Sequence, residues 1–224
     1  DLAKGLRRLK YLPKDVIISY HNKSMVIREL ILPYKDEIQT HKYIQEEMEQ
    51  YQSALNKELD YDYQIQTEAS ILGQTMAVTA AVESSVNQEY IKSALRLGLR
   101  LKFVDVQLIS CLRLINCLIT RREELSSNSA YLLIDLGYDN TSIAIVSKYR
   151  VYASKTFDTG TRTFEENPEI TLLPIILDCT SMITSFISSY AGMSINQGFV
   201  YGGGVYTPGI LSYLKSHFAS IKLE

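Results

Sequence analysis

The sequence predicts an α/β fold. Short apolar, β-branched runs alternate with stretches of helical periodicity along the 224 residues. A helix–strand block interrupts the chain after its first strands. Near residue 130 three strands joined by tight turns lead into helix, strand, glycines and helix.

Hydrophobic residues make up 46% and charged residues 21%, which excludes a disordered chain. The formal net charge of −2 gives no basic field for nucleic acid, so no nucleic-acid partner is expected. No apolar run approaches the ~18 residues that span a bilayer, and no signal peptide opens the chain. Direct membrane insertion is therefore not expected. Cys111, Cys117 and Cys179 lie in apolar stretches without a CxxC or a Cys/His cluster. They read as buried small hydrophobes, not zinc ligands. His21, His41 and His217 are scattered and read as surface or interface residues.

Leu2, Leu6 and Leu9 share a helical face that Pro13 stops, and a segment preceding this helix is expected. Asp15–Tyr20 and Val26–Leu32 are strands joined by a turn at His21–Ser24. Asp36–Leu55 is helical, with Ile44, Met48, Tyr51 and Leu55 as its apolar stripe. Leu59–Gln66 and Thr75–Val82 are strands, the second apolar enough to be central. Asn87 is expected to cap a helix that Gly98 ends. Lys102–Asp105 is a short strand, and Asp105 is placed to cap the apolar helix Val106–Ile119. Arg121 and Arg122 complement that helix's dipole. The polar tract Glu123–Ser129 marks a boundary. Ala130–Gly137, Thr141–Val146 and Arg150–Phe157 form a meander. Leu173–Tyr190 is helical with Pro174 in its first turn and Gly192 at its end. Gly198–Tyr201 is a strand, and Thr207-Pro208 is expected to start the last helix.

Two constellations carry chemistry. Asp135-Leu136-Gly137 ends a strand and is followed by Thr141. A carboxylate there can hold a metal-bound water, and the glycine lets backbone approach phosphate oxygens. A plain hairpin has the same form. Gly202-Gly203-Gly204 follows a strand and precedes a helix. Such a surface without side chains can seat a purine or sugar-phosphate. A tight strand-to-helix turn is the alternative.

Asp-x-Gly on a meander, followed by helix, strand, three glycines and helix, resembles the second half of the actin-like ATPases. Val16–Ser19 with Val26–Pro33, Glu46–Tyr51, Gly98–Val106, Ile134–Gly137 with Thr141, and Gly202–Gly204 with Pro208-Gly209 resemble segments of the PilM-like type IV pilus assembly proteins of the FtsA/PilM superfamily. The resemblance implies an actin-like (ribonuclease H-like) two-lobed fold with an inserted small α/β subdomain, truncated at its N-terminus. Residues 1–33 and 102–122 would form part of the first subdomain, 34–101 the insertion and 123–224 the second subdomain. The family's opening strand–glycine–strand unit, its first phosphate loop, has no counterpart here, and the stretch between Phe157 and Pro168 is short for the family.

What the resemblance implies for function is a cytoplasmic scaffold recruited to the inner face of the cell membrane. It would bind the N-terminal tail of a PilN-like membrane protein, with a pilus motor ATPase or platform protein as a further partner. The groove for the tail would be lined by Val26, Arg28, Leu30, Ile44, Met48 and Tyr51. ATP and Mg²⁺ are implied for the intact protein only. Asp135, Gly137, Thr141, Gly202, Gly203 and Gly204 would hold the nucleotide, and Asp135 the metal through water. No catalytic residue is assigned. A slow actin-like ATPase and an FtsA-like division protein are the alternatives, the latter needing an amphipathic membrane helix that Ser216–Glu224 is too short to supply.

Overall fold

The computed structural model describes residues 14–21, 25–33, 36–71, 74–121, 129–147, 150–164 and 168–224. The expected helix at Leu2–Leu9 with its Pro13, the turn at 22–24, Arg122, and the tract 123–128 lie outside the described residues. In chain order the elements are β1 (Asp15–Tyr20), β2 (Val26–Leu32), α1 (Glu37–Leu55), β3 (Leu59–Ile71), β4 (Gln74–Glu83), α2 (Ser84–Arg96), β5 (Arg100–Val106) and α3 (Gln107–Arg121). Then come β6 (Ser129–Leu136), β7 (Thr141–Val146), β8 (Val151–Phe157), α4 (Pro168–Ser189), β9 (Ser194–Tyr201), α5 (Ile210–His217) and β10 (Lys222–Leu223).

These strands form three sheets: β1-β5, β2-β4-β3 and β10-β9-β6-β7-β8. β1 runs parallel to β5, eighty-odd residues later in the chain, and β2 runs antiparallel to β4. The two opening strands, read from sequence as joined by a turn, therefore belong to different sheets. β4 is central in its sheet, as its apolar sequence implies.

In the three-stranded sheet the two faces have different tasks, because side chains alternate along a strand. Leu30, Leu32, Ala77 and Ala81 pack against Ile44 and Met48 of α1. Ile27 and Ala80 face the other way and join the cluster built by Leu108, Leu112, Ile115 and Ile119 of α3. Asp36 caps α1 by accepting from the Gln39 amide at 2.9 Å.

The five-stranded sheet is filled on both faces. Leu132, Ile134, Leu136, Ile143 and Ile145 pack under α4 and α5, in a cluster that includes the buried Phe164. Tyr131, Leu133, Ala144, Val146 and Phe199 pack against α3. Thus α3 lies between the two larger sheets, which accounts for its buried Leu108, Leu112, Ile115 and Ile119, while Leu114, Leu118 and Cys117, the last expected to be buried, are exposed.

Several sequence expectations change. α2 starts at Ser84, so Asn87 is inside the helix and not its cap. Gly98 does end it: the amides of Gly98 and Leu99 bond the carbonyls of Leu95 and Ala94. α5 starts at Ile210 behind Gly209, while Thr207 closes a 3-10 turn at Gly203–Tyr206. α4 starts at Pro168, which puts Pro174 in its interior. That helix is long and apolar enough, by length and composition, to cross a membrane, contrary to the reading of apolar runs. Its Leu172, Ile175, Ile176, Cys179 and Phe186 are nevertheless buried in the core.

Candidate functional site

β6 and β9 run parallel and in register, pairing Asp135 with Tyr201. The β6–β7 turn and the glycine bend after β9 therefore emerge at the same end of the sheet. Gly202 has φ +90°, and a Cβ there would lie 2.5 Å from the Asp135 Oδ1. A Cβ on Gly204 would lie 2.6 Å from that of Leu136. Gly203, between them, faces open space. Asp135, Gly137 and the three glycines are thus gathered into one place.

Thr141 is not gathered with them. Cross-strand pairing opposes Thr141 to Leu136 and Ser142 to Asp135. Period-two alternation then turns Thr141 into the core, where it is fully buried and its hydroxyl has no partner. Ser142 takes the place beside Asp135.

Around Asp135 lies a cavity of about 270 Å³, lined among others by His21, Gln107, Ser142, Thr156 and Tyr201. Gln107, the first residue of α3, donates from Nε2 to the Asp135 Oδ2 at 2.5 Å. The Ser142 Oγ lies 3.2 Å from the His21 Nε2 and 2.6 Å from the Thr156 Oγ1. Asp135 is 4% exposed, and burial pushes its carboxyl up to about 6. Burial lowers the His21 imidazole, against a hydrogen bond with Asn140 that raises it. Burial raises both the Cys111 thiol and the Tyr201 phenol, which are hydrogen-bonded to each other. Gln107 and His21 escaped the sequence reading because neither lies near Asp135 in the chain. Ser142 was legible from strand parity.

A second concavity of about 920 Å³ separates the three-stranded sheet from α3 and β5. Asp60, Asp62 and Gln64 of β3 and Val78, Ala80 and Val82 of β4 form one wall, and Ile109, Leu112 and Arg113 the other. All residues from Asp60 to Ile65 line it, those of both strand faces, so the groove follows the β3 edge. β3 is the last strand on that side of its sheet. Burial pulls the Asp105 carboxyl upward, but bonds from Ser110, Arg113 and the Val106 amide outweigh it and hold it below its usual range. Asp105 therefore anchors the start of α3, though not in the capping geometry expected from sequence.

The six residues read from sequence as groove-lining lie elsewhere. Leu30, Ile44 and Met48 are buried between α1 and the sheet, with Val26 and Tyr51 packed against them. The Arg28 guanidinium lies over the Tyr51 ring, 4.9 Å from its centroid. That face holds the unit together, and the open groove is on the opposite one. Among the described residues no group of three or more His, Cys, Asp or Glu could hold a metal ion.

No family model matches the sequence, and none of the curated proteins does. Solved structures do. The structure described as "PilM-PilN type IV pilus biogenesis complex" matches with a TM-score of 0.72 and 14% identity, over 100% of this chain and 76% of the other. A Bacteroides thetaiotaomicron protein with an actin-like ATPase fold and unknown function matches with a TM-score of 0.50 and 11% identity, over 100% of this chain and 74% of the other. At such identities the likeness bears on architecture alone. Two lobes around α3, a small inserted α/β unit, and the meander–helix–strand–glycine order give this chain the actin-like ATPase fold.

Proposed function

We propose that the protein is an actin-like scaffold of a pilus or secretion machine that holds an extended segment of a membrane-anchored, PilN-like partner. The segment lies in the groove between β3–β4 and α3. The observation that carries this reading is the groove itself: about 920 Å³, floored by apolar side chains of β4 and α3 and bordered by the outer edge of β3, with which no strand pairs among the described residues. Such an edge pairs with an extended peptide through main-chain hydrogen bonds, while side-chain pockets select the sequence. The likeness to a chain from a PilM-PilN complex supports a partner of this kind. On this reading residues 34–101 form the inserted unit, with β2 added to its sheet. The rest of residues 1–33 and residues 102–122 belong to the first lobe and 123–224 to the second. The protein is then cytoplasmic and reaches the membrane through its partner.

Nucleotide binding by the intact protein is a second part of the proposal, favoured by the Asp135–Gly202 contact. A single carboxylate suits Mg²⁺, which keeps several waters and takes other oxygens from phosphates. Gly203 offers a face without a side chain. The cavity beside Asp135 is smaller than the ~300–1,000 Å³ of ordinary ligand pockets, so it would receive a phosphate-sized group with the rest of a nucleotide outside it. Thr141 has no part in this version of the site.

Titration of the protein with the N-terminal tail peptide of its PilN-like partner tests the main reading. Micromolar binding is expected. Gln64→Trp, which lays an indole across Val78 on the groove wall, should remove it while the circular dichroism spectrum stays unchanged. Binding that survives Gln64→Trp would move the partner to another surface.

A further inference from the structure

The groove is unequal in charge compensation. Asp105 is neutralised by Arg113, whose Nη1 lies 2.7 Å from its Oδ2. Among the described residues neither Asp60 nor Asp62 has a cationic partner. Asp60 accepts only neutral donors, the Ser84 Oγ at 2.8 Å and the Asn87 Nδ2 at 2.5 Å. Asp62 accepts the Tyr63 amide at 2.8 Å. Both alternate with the core-facing Tyr61 and Tyr63, so both carboxylates stand on the groove side of β3. A carboxylate offers about four acceptor sites, and those of Asp60 and Asp62 are incompletely used. Two carboxylates without a cationic partner thus line one stretch of a groove whose apolar floor is Val78, Ala80, Val82, Ile109 and Leu112.

We infer that the groove's occupant is an extended peptide segment carrying an arginine or lysine set against Asp60 and Asp62, flanked by aliphatic side chains over Val78, Val82 and Leu112. This rests on the groove being the partner site, and adds the chemistry that site selects. An aliphatic side chain alone would strip water from the exposed Asp62 carboxylate without replacing its hydrogen bonds, which costs affinity. A charged N–H donor replaces that water and compensates the two carboxylates together. An acidic segment would face uncompensated like charge and be rejected.

The test selects random short peptides displayed on phage against the whole chain and keeps those whose binding Gln64→Trp removes. Groove binders should share an arginine or lysine at one position. Replacing that residue by norleucine should weaken binding about tenfold or more on the parent protein, and much less on Asp62→Asn. Asp62 is exposed, so Asp62→Asn should fold normally; Asp60→Asn gives the second reading of the same coupling. Groove binders without a shared cation, or a norleucine penalty that persists in both variants, would overturn the inference and leave the groove as a peptide site. A selection that yields no Gln64→Trp-sensitive peptide would overturn the peptide site too, and the inference with it.

Discussion

Gly202 approaches Asp135 so closely that a Cβ on the glycine would lie 2.5 Å from the carboxylate Oδ1 and 2.5 Å from the Leu136 carbonyl oxygen. The contact joins the acid-bearing strand to the glycine bend, and it makes the three consecutive glycines unequal. Gly202 combines φ +90° with this contact, whereas Gly203 faces nothing within 4 Å. Gly202→Ala should cost about 1–3 kcal/mol in urea unfolding, from backbone strain plus displacement of Asp135. Gly203→Ala should stay within about 0.5 kcal/mol. Equal losses at the two positions would remove the packing explanation for the triad.

The Asp135 carboxyl should make stability fall as pH rises. Its ordinary value is 3.8 and burial raises it to about 6 in the folded protein. Between those values the folded state binds more protons than the unfolded state, so stability declines across that window and stays lower above it. Asp135→Asn keeps an acceptor for Gln107 and cannot ionise. Its advantage over the parent should be absent near pH 3.5 and reach about 3 kcal/mol at pH 8, from roughly two pKa units at about 1.4 kcal/mol each. Chemical unfolding at several pH values reads this directly. A constant difference would place the carboxylate in a solvated setting.

Glu29 on β2 and Arg150 before β8 form a buried ion pair that links the three-stranded sheet to the five-stranded one. Their side chains are 15% and 8% exposed and lie 2.5 Å apart, with Arg150 also over the Tyr152 ring. Glu29→Ala leaves a buried guanidinium uncompensated and should cost about 3–5 kcal/mol. Glu29→Leu with Arg150→Met should recover much of that loss. The exposed Lys155–Asp178 pair is the contrast: its removal should change stability by no more than about 1 kcal/mol. Thermal unfolding of the single and double variants separates the two cases.

Much of this architecture could be read in the residues. The alternating apolar runs located the meander from Ala130 onward, and the apolar stripe Ile44–Met48 located the core face of α1. Local patterns could not show which strands pair. β1 finds β5 across the whole inserted unit, and only the three-dimensional path of the chain brings Asp15 beside Arg100. The same limit applied at the candidate site. Asp135 and the glycines were legible because each is a local motif. Gln107 and His21 reach Asp135 and Ser142 through tertiary packing that no spacing announces. Parity alone could not place the six residues expected to line a partner groove: Leu30 and Ile27 are both apolar, and only the position of α1 decides that Leu30 packs beneath it while Ile27 joins the α3 cluster. Pro174 was misplaced because an apolar helix with its inner face buried tolerates an interior proline that intrinsic preference would put at the start.

Amide chemical-shift mapping of the protein with the N-terminal tail peptide of its PilN-like partner tests the central claim most directly. The groove reading predicts that the perturbed amides cluster along Asp60–Ile65 of β3 and Ile109–Asn116 of α3, and that Gln64→Trp abolishes the changes. Perturbations confined to α1 and the outer face of β2, or to the Gly202–Gly204 bend, or none at all at millimolar peptide, would contradict it.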